Sequence, residues 1–186
     1  GLAGTIAATR LSANTTSKFS IVKFEGTGSA ATVAHGLGVA PDLILVDNLD
    51  TARSWLVYQS AKAVAGGSDP ETDGLFLNQT AAIGDDDSAW NDTAPTSTVF
   101  SVGTSVSSNE DGDDLVAYCW ANVEGYSQVG TYEGLNATDG PFEFTGFNPQ
   151  WIMIKYVDGT DESWWIQDNK RSTYNPSDDA VYANLN

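Results

Sequence analysis

An all-β fold made of antiparallel β-sandwich modules, jelly-roll-like in type, is what three observations in this sequence predict. No window of a dozen residues keeps an apolar stripe at helical spacing, because Gly, Asn, Asp, Ser and Thr recur too often. Short runs of β-branched and aromatic residues stand instead between turn-forming clusters. The same order of motifs then occurs twice, so the chain reads as two related modules. Strands spaced this regularly pair antiparallel, and their apolar faces are buried only against another such face.

In chain order, residues 1–18 are rich in Thr, Ser and Ala and read as a linker or the end of a preceding module. A first β-sandwich module is expected over 19–125, with strands at 19–24, 31–35, 42–46, 54–58, 75–78, 98–102 and 115–123. Residues 61–65 are the one stretch suited to a helical turn, which Gly66-Gly67 would end. A second, incomplete β module occupies 126–186, with strands expected at 127–132, 142–144, 151–157 and 163–167. The chain starts at Gly1 rather than Met, so it reads as a processed product or a segment of a longer protein.

Pro41 and Pro149 set the offset of the internal repeat, 149 − 41 = 108. At that offset Glu25 meets Glu133, Gly26 meets Gly134, Gly38 meets Gly146, Ile44 meets Ile152 and Asp50 meets Asp158. Phe24 then faces Tyr132, and Leu43 faces Trp151. One inserted residue later, Trp55-Leu56-Val57 aligns with Trp164-Trp165-Ile166, and Tyr182-Ala183-Asn184 matches the run 75–78. Residues 43–46 and 151–154 are therefore expected to be equivalent buried strands, each entered by a proline turn. The second module has no counterparts of 98–102 and 115–123. Its sheet edges need cover from 1–18, from chain beyond the end, or from another subunit.

Charge excludes several function classes. The 25 Asp and Glu against 8 Lys and Arg leave a net charge of −17, and the few cations are scattered. Nucleic acid is excluded as a partner, since no Lys/Arg stripe is present to displace counterions. Membrane insertion is excluded too, because apolar runs such as Leu43-Ile44-Leu45-Val46 fall far below the ~20 residues a spanning helix needs. With one Cys and one His, neither an internal disulfide nor a zinc site of the usual N/S type can form.

Candidate chemistry is sparse. His35, in the string 35–41 that ends at Pro41, is the only base poised near neutral pH, but no Gly-x-Ser-x-Gly elbow exists and Glu143 stands at the equivalent position. A structural turn role is the expectation for His35. Three acidic clusters, 85–87, 109–114 and 158–162, offer hard oxygens of the kind Ca²⁺ prefers, with Asp85, Asp87, Asp111 and Asp113 as possible ligands. The competing reading, charged hairpin tips that prevent edge-to-edge pairing, is ahead, so no cofactor is expected. Alternation along 115–120 places Val116, Tyr118 and Trp120 on one face and Ala117 and Cys119 on the other. Only one of the adjacent Trp164 and Trp165 can enter a shared core. The other, with Trp90, is a candidate for stacking on a sugar ring. Asn-x-Ser/Thr sequons stand at Asn14, Asn78, Asn91 and Asn136.

Several strings resemble an uncharacterised repeat family found in large structural proteins of tailed bacteriophages, many of them marine. They are Phe19-Ser20-Ile21-Val22, His35-Gly36-Leu37-Gly38-x-x-Pro41, the run Trp90 to Phe100, Val116-Ala117-Tyr118-Cys119-Trp120, Glu124-Gly125-Tyr126-Ser127, Asp139-Gly140-Pro141-Phe142 and Thr145-Gly146-Phe147-x-Pro149. The resemblance covers nearly all of the chain from Phe19 and implies a β-rich module of a tail fibre, virion appendage or surface protein, located on the virion. It implies no catalytic residues. The expected function is thus a non-enzymatic structural or adhesive virion module contributing to host attachment. The partners expected are further copies in a homo-oligomer, with a trimer favoured, or other virion proteins. Two alternatives stand beside it: a carbohydrate-binding module for a host surface glycan, using Trp90, Trp164 and Trp165, and a polysaccharide depolymerase using paired carboxylates.

Overall fold

The computed structural model describes residues 3–61, 69–137, 139–159, 162–172, 174 and 179–185; the helical turn expected at 61–65 lies, apart from Ala61, outside the described residues. The strands are β1 (Ala8–Asn14), β2 (Phe19–Glu25), β3 (Ala31–Ala34), β4 (Leu43–Asn48), β5 (Leu56–Gln59), β6 (Asp73–Phe76), β7 (Gly84–Asp85), β8 (Val99–Val102), β9 (Asp114–Trp120), β10 (Trp151–Ile154), β11 (Trp165–Asp168) and β12 (Val181–Tyr182). Among the described residues, helix is confined to two single turns, α1 (Asp87–Trp90) and α2 (Val106–Asn109), and a 3₁₀ turn at Pro70–Thr72. The protein is all-β, and every ladder between these strands is antiparallel.

One seven-stranded sheet, in the order β1-β2-β9-β4-β5-β6-β7, organises the chain. Its central strands are apolar on both faces because both faces are covered. Leu115, Ala117 and Cys119 of β9 join Ile44 and Val46 of β4 and Leu56 and Tyr58 of β5 in the main core. Val33, Phe100 and Val102 from the two-stranded β3–β8 sheet and Trp90 of α1 complete that core. On the opposite face, Leu45, Val57 and Leu75 form a second cluster, with Tyr118 and Trp120 packed against it. The alternation expected along β9 is observed.

The second cluster is closed by residues from the C-terminal part, because the three-stranded sheet β10-β11-β12 is tied to the large one. Trp164 is buried there, Met153 and Val157 pack against it, and the Trp164 indole Nε1–H donates to the Phe76 carbonyl at 2.8 Å. The Ile83 amide donates to the Val157 carbonyl at 3.2 Å, and Lys155 Nζ donates to the carbonyls of Thr80 and Glu162.

The β4-β5-β6 and β10-β11-β12 triplets share order, direction and register. Leu43↔Gln59, Ile44↔Tyr58, Leu45↔Val57 and Val46↔Leu56 pair as do Trp151↔Asp168, Ile152↔Gln167, Met153↔Ile166 and Ile154↔Trp165. Leu56↔Phe76 and Val57↔Leu75 likewise match Trp165↔Tyr182 and Ile166↔Val181. Asn78 Oδ1 accepts from the Trp55 amide at 3.1 Å, and Asn184 Oδ1 accepts from the Trp164 amide at 2.9 Å. Gly38 and Gly146 both take positive φ, 75° and 78°, in the turns before β4 and β10, a conformation that disfavours any side chain.

Three expectations are corrected. Residues 8–14 are not linker but β1, paired along β2, and Ile6 just before them is buried in the main core; a hairpin satisfies the backbone groups of this polar segment, which its composition did not reveal. No strand forms at 128–132 or 142–144, and among the described residues of 128–150 none forms at all. Finally, residues 151–154 are a strand but not a buried one: Trp151 and Ile152 are exposed. All three follow from which partner strands these residues can reach.

Candidate functional site

The face of the small sheet turned away from the second cluster is its most unusual surface. Antiparallel register sets Ile152, Ile154, Trp165 and Tyr182 on this side, since paired residues share a face and alternate ones repeat it. Ile152 is 36% exposed, Trp165 44% and Tyr182 38%. Trp165 and Tyr182 meet with ring centroids 6.1 Å apart at 60°, an edge-on contact. At the end of β11, on the face that carries Trp151, Arg171 Nε pairs with Asp168 Oδ2 at 3.1 Å, and amides of Lys170 and Arg171 bond Asp168 Oδ1. Those amides hold the Asp168 pKa below the usual carboxylate range.

Of the three tryptophans expected to meet ligand, only Trp165 is exposed. Trp164 is the buried member of its pair. Trp90 is almost completely buried, edge-on to Tyr58 at 5.6 Å, which overturns its expected exposure. The polar neighbours that suggested a surface position are helix caps: Asp86 accepts from the Ser88 amide at the start of α1, and Asn91 closes it in the left-handed region at φ 55°. An aromatic row that alternation alone does not reveal crosses the large sheet. Phe19, Trp120, Tyr118 and Trp55 follow one another at 4.9, 6.2 and 6.2 Å, all half-buried.

The acidic clusters close the fold. Asn109, fully buried, donates to the carbonyls of Ser29 and Gly103 at 2.7 Å each and accepts from the Thr27 amide. Glu110 takes Arg53 through both oxygens, with Nε at 2.6 Å. Asp113 accepts from Asn48 Nδ2 at 2.9 Å, and this bond, followed by one from Thr51, depresses its pKa. Asp85 and Asp111 are exposed, and Asp87 sits in the first turn of α1. Among the described residues, no three His, Cys, Asp or Glu side chains form a group able to hold a metal ion.

His35 is buried. Its Nδ1 accepts from the Leu37 amide at 3.3 Å, so Nε2 carries the proton and donates to the Thr96 carbonyl at 3.1 Å. Desolvation lowers its pKa, and the ring clips the turn before β4 to residues ahead of β8. Cys119 is likewise buried, and desolvation pushes its thiol up to about 12, so it has no thiolate character at neutral pH.

The profile of the family described as Domain of unknown function (DUF7483) matches residues 2–186. The chain belongs to this family. No curated protein and no solved structure matches it. Within this DUF7483 chain, the large sheet, its core and the half-exposed second sheet are all part of the matched region, and no helix among the described residues is long and apolar enough to cross a membrane.

Proposed function

We propose that the chain is a non-enzymatic structural and adhesive module of a bacteriophage virion, such as a tail fibre, an appendage or a capsid-surface protein. The observation that carries this reading is the duplicated strand triplet, matched residue by residue in register, whose second copy keeps an apolar face open to solvent. Repetition of one β unit with an uncovered face suits assembly into a larger body, and the sequence resemblance to phage structural repeats supplies the virion context. Assembly is with further copies, a trimer being favoured, or with other virion proteins. With a net charge of −17 opposing association, the contact is apolar and strengthens with salt. Gold-labelled antibody against the purified chain, imaged on intact particles from the source lysate, is expected to decorate tails or surface appendages. Unlabelled particles alongside abundant free protein would refute it.

A second reading is favoured by one observation, the exposed Trp165–Tyr182 pair. Aromatic faces pack on the apolar faces of pyranose rings, and Gln167, paired with Ile152, lies on the same face of the sheet. A glycan array on wild type and Trp165→Ala distinguishes attachment through sugar from attachment through protein.

A further inference from the structure

The large sheet contains a description of what the small sheet lacks. β9 lies between β2 and β4 and pairs with both, Ile21↔Tyr118 on one side and Leu45↔Tyr118 on the other. β3 is held by β8, Val33↔Phe100. Both of these partner strands come from residues 99–120, and among the described residues no strand stands beside β10 as β9 stands beside β4. The C-terminal part forms what it can pair internally, β10-β11-β12, and leaves unformed the strands that need β8 and β9. Residues equivalent to β2 and β3 stay irregular, with Phe142 88% and Phe144 80% exposed, and β10 has no neighbour on its outer edge among the described residues.

We infer that the outer edge of β10 is a receptor for a donated β-strand of the β9 type, supplied by a further unit of the same repeat. The occupant is specified by the first half. It runs antiparallel to β10, puts small residues such as Ala117 and Cys119 beside Ile154 and Ile152, and puts aromatic ones such as Tyr118 and Trp120 beside Met153 and Trp151, as β9 does for β4. A strand so placed presents its second edge to residues 127–133, as β9 presents its own to β2, and draws that segment into the sheet. A second copy of this chain is a poor donor, because its β9 is already paired on both edges. This goes beyond the virion reading and holds or fails independently of it.

The test uses the intact chain and a synthetic peptide of its own residues 111–123, with amide hydrogen exchange followed by NMR. Binding at one peptide per chain is expected, slowing exchange at Ile152–Ile154 by about tenfold or more and creating new protected amides at 127–133. Exchange at Leu43–Asn48 is expected to stay unchanged, which excludes displacement of the native β9. A peptide with Asp at the positions of Ala117 and Cys119 is expected not to bind, nor is the wild-type peptide to an Ile152→Asp chain whose Cys119 remains shielded from thiol reagents. As a second arm that avoids peptide solubility, residues 99–123 fused after Asn186 through a Gly-Ser linker are expected to give the same protection. Unchanged exchange at β10 in both arms, protection at the β1 or β7 edge instead, or self-association of the chain through β10 would each overturn the inference.

Discussion

Ile44 and Ile152 hold the same register position in two sheets of the same order, yet the first is fully buried and the second 36% exposed. Leu56 and its counterpart Trp165 differ in the same way, as do Phe24 in the core and Tyr132 in solvent. Glycines repeat the contrast. A Cβ on Gly26 would lie 2.1 Å from the Glu110 carbonyl oxygen, whereas one on Gly134 would meet nothing within 4 Å. Strand formation and burial are thus separable. A triplet of strands closes its own hydrogen bonds from local sequence, but its inner face is buried only when a central strand and a cover arrive from elsewhere.

The largest effect that tests this contrast is expected from Ile44→Asp. An unpaired carboxylate in the main core should cost about 4 kcal/mol or more, a large share of the roughly 5–15 kcal/mol that holds an ordinary domain folded. Ile152→Asp, at the matching position, should cost about 1 kcal/mol or less. Urea unfolding with Cys119 labelling reads the first, since the buried thiol reacts only when the large sheet opens, and amide exchange at β10 and β11 reads the second. Equal destabilisation by the two variants would mean that the second half is buried as deeply as the first.

A smaller effect is expected where the halves meet. Trp164→Ala removes a side chain packed on Leu45, Val57 and Leu75, together with its bond to the Phe76 carbonyl, and should weaken docking of the small sheet by about 3 kcal/mol. Amide exchange should accelerate at β10 and β11 while β4 and β9 stay protected. Acceleration in both regions at once would show that the two parts unfold as one unit.

The smallest effect belongs to pH. Burial lowers the His35 pKa below its ordinary 6.5, so the folded state holds the neutral ring while the unfolded chain takes a proton. The stability this ring contributes is present above about pH 6.5 and is lost as pH falls from there toward the folded value, at up to about 1.4 kcal/mol per pH unit. His35→Gln, with no proton to bind, should be less stable at neutral pH but lose less on acidification. Melting curves of both proteins between about pH 7.5 and 5.5 cancel the shared carboxylate contribution. Parallel pH profiles would mean that the ring titrates alike in both states.

Much of the strand plan was legible because it rests on alternation and turn residues: β9 puts its aromatic residues opposite its small ones, and Gly38 and Gly146 mark turns that need positive φ. β1 was missed because Ala8–Asn14 is an edge strand, polar and lacking an apolar pattern, whose place is set by β2. Trp90 was misplaced because the polar residues around it satisfy helix ends rather than face solvent. Trp165 was legible as half of a pair, though its neighbour across the sheet, Tyr182, was not.

Composition and order of residues determined the all-β class, the net charge of −17, and the strand triplet that occurs twice, because hairpin pairing and face alternation depend on residues close in sequence. Tertiary structure alone decided that the first triplet is a core and the second an open face. That outcome depends on β8 and β9 reaching back across 50 residues or more to β3, β2 and β4, and a long-range pairing leaves no periodic trace in the strands that await it.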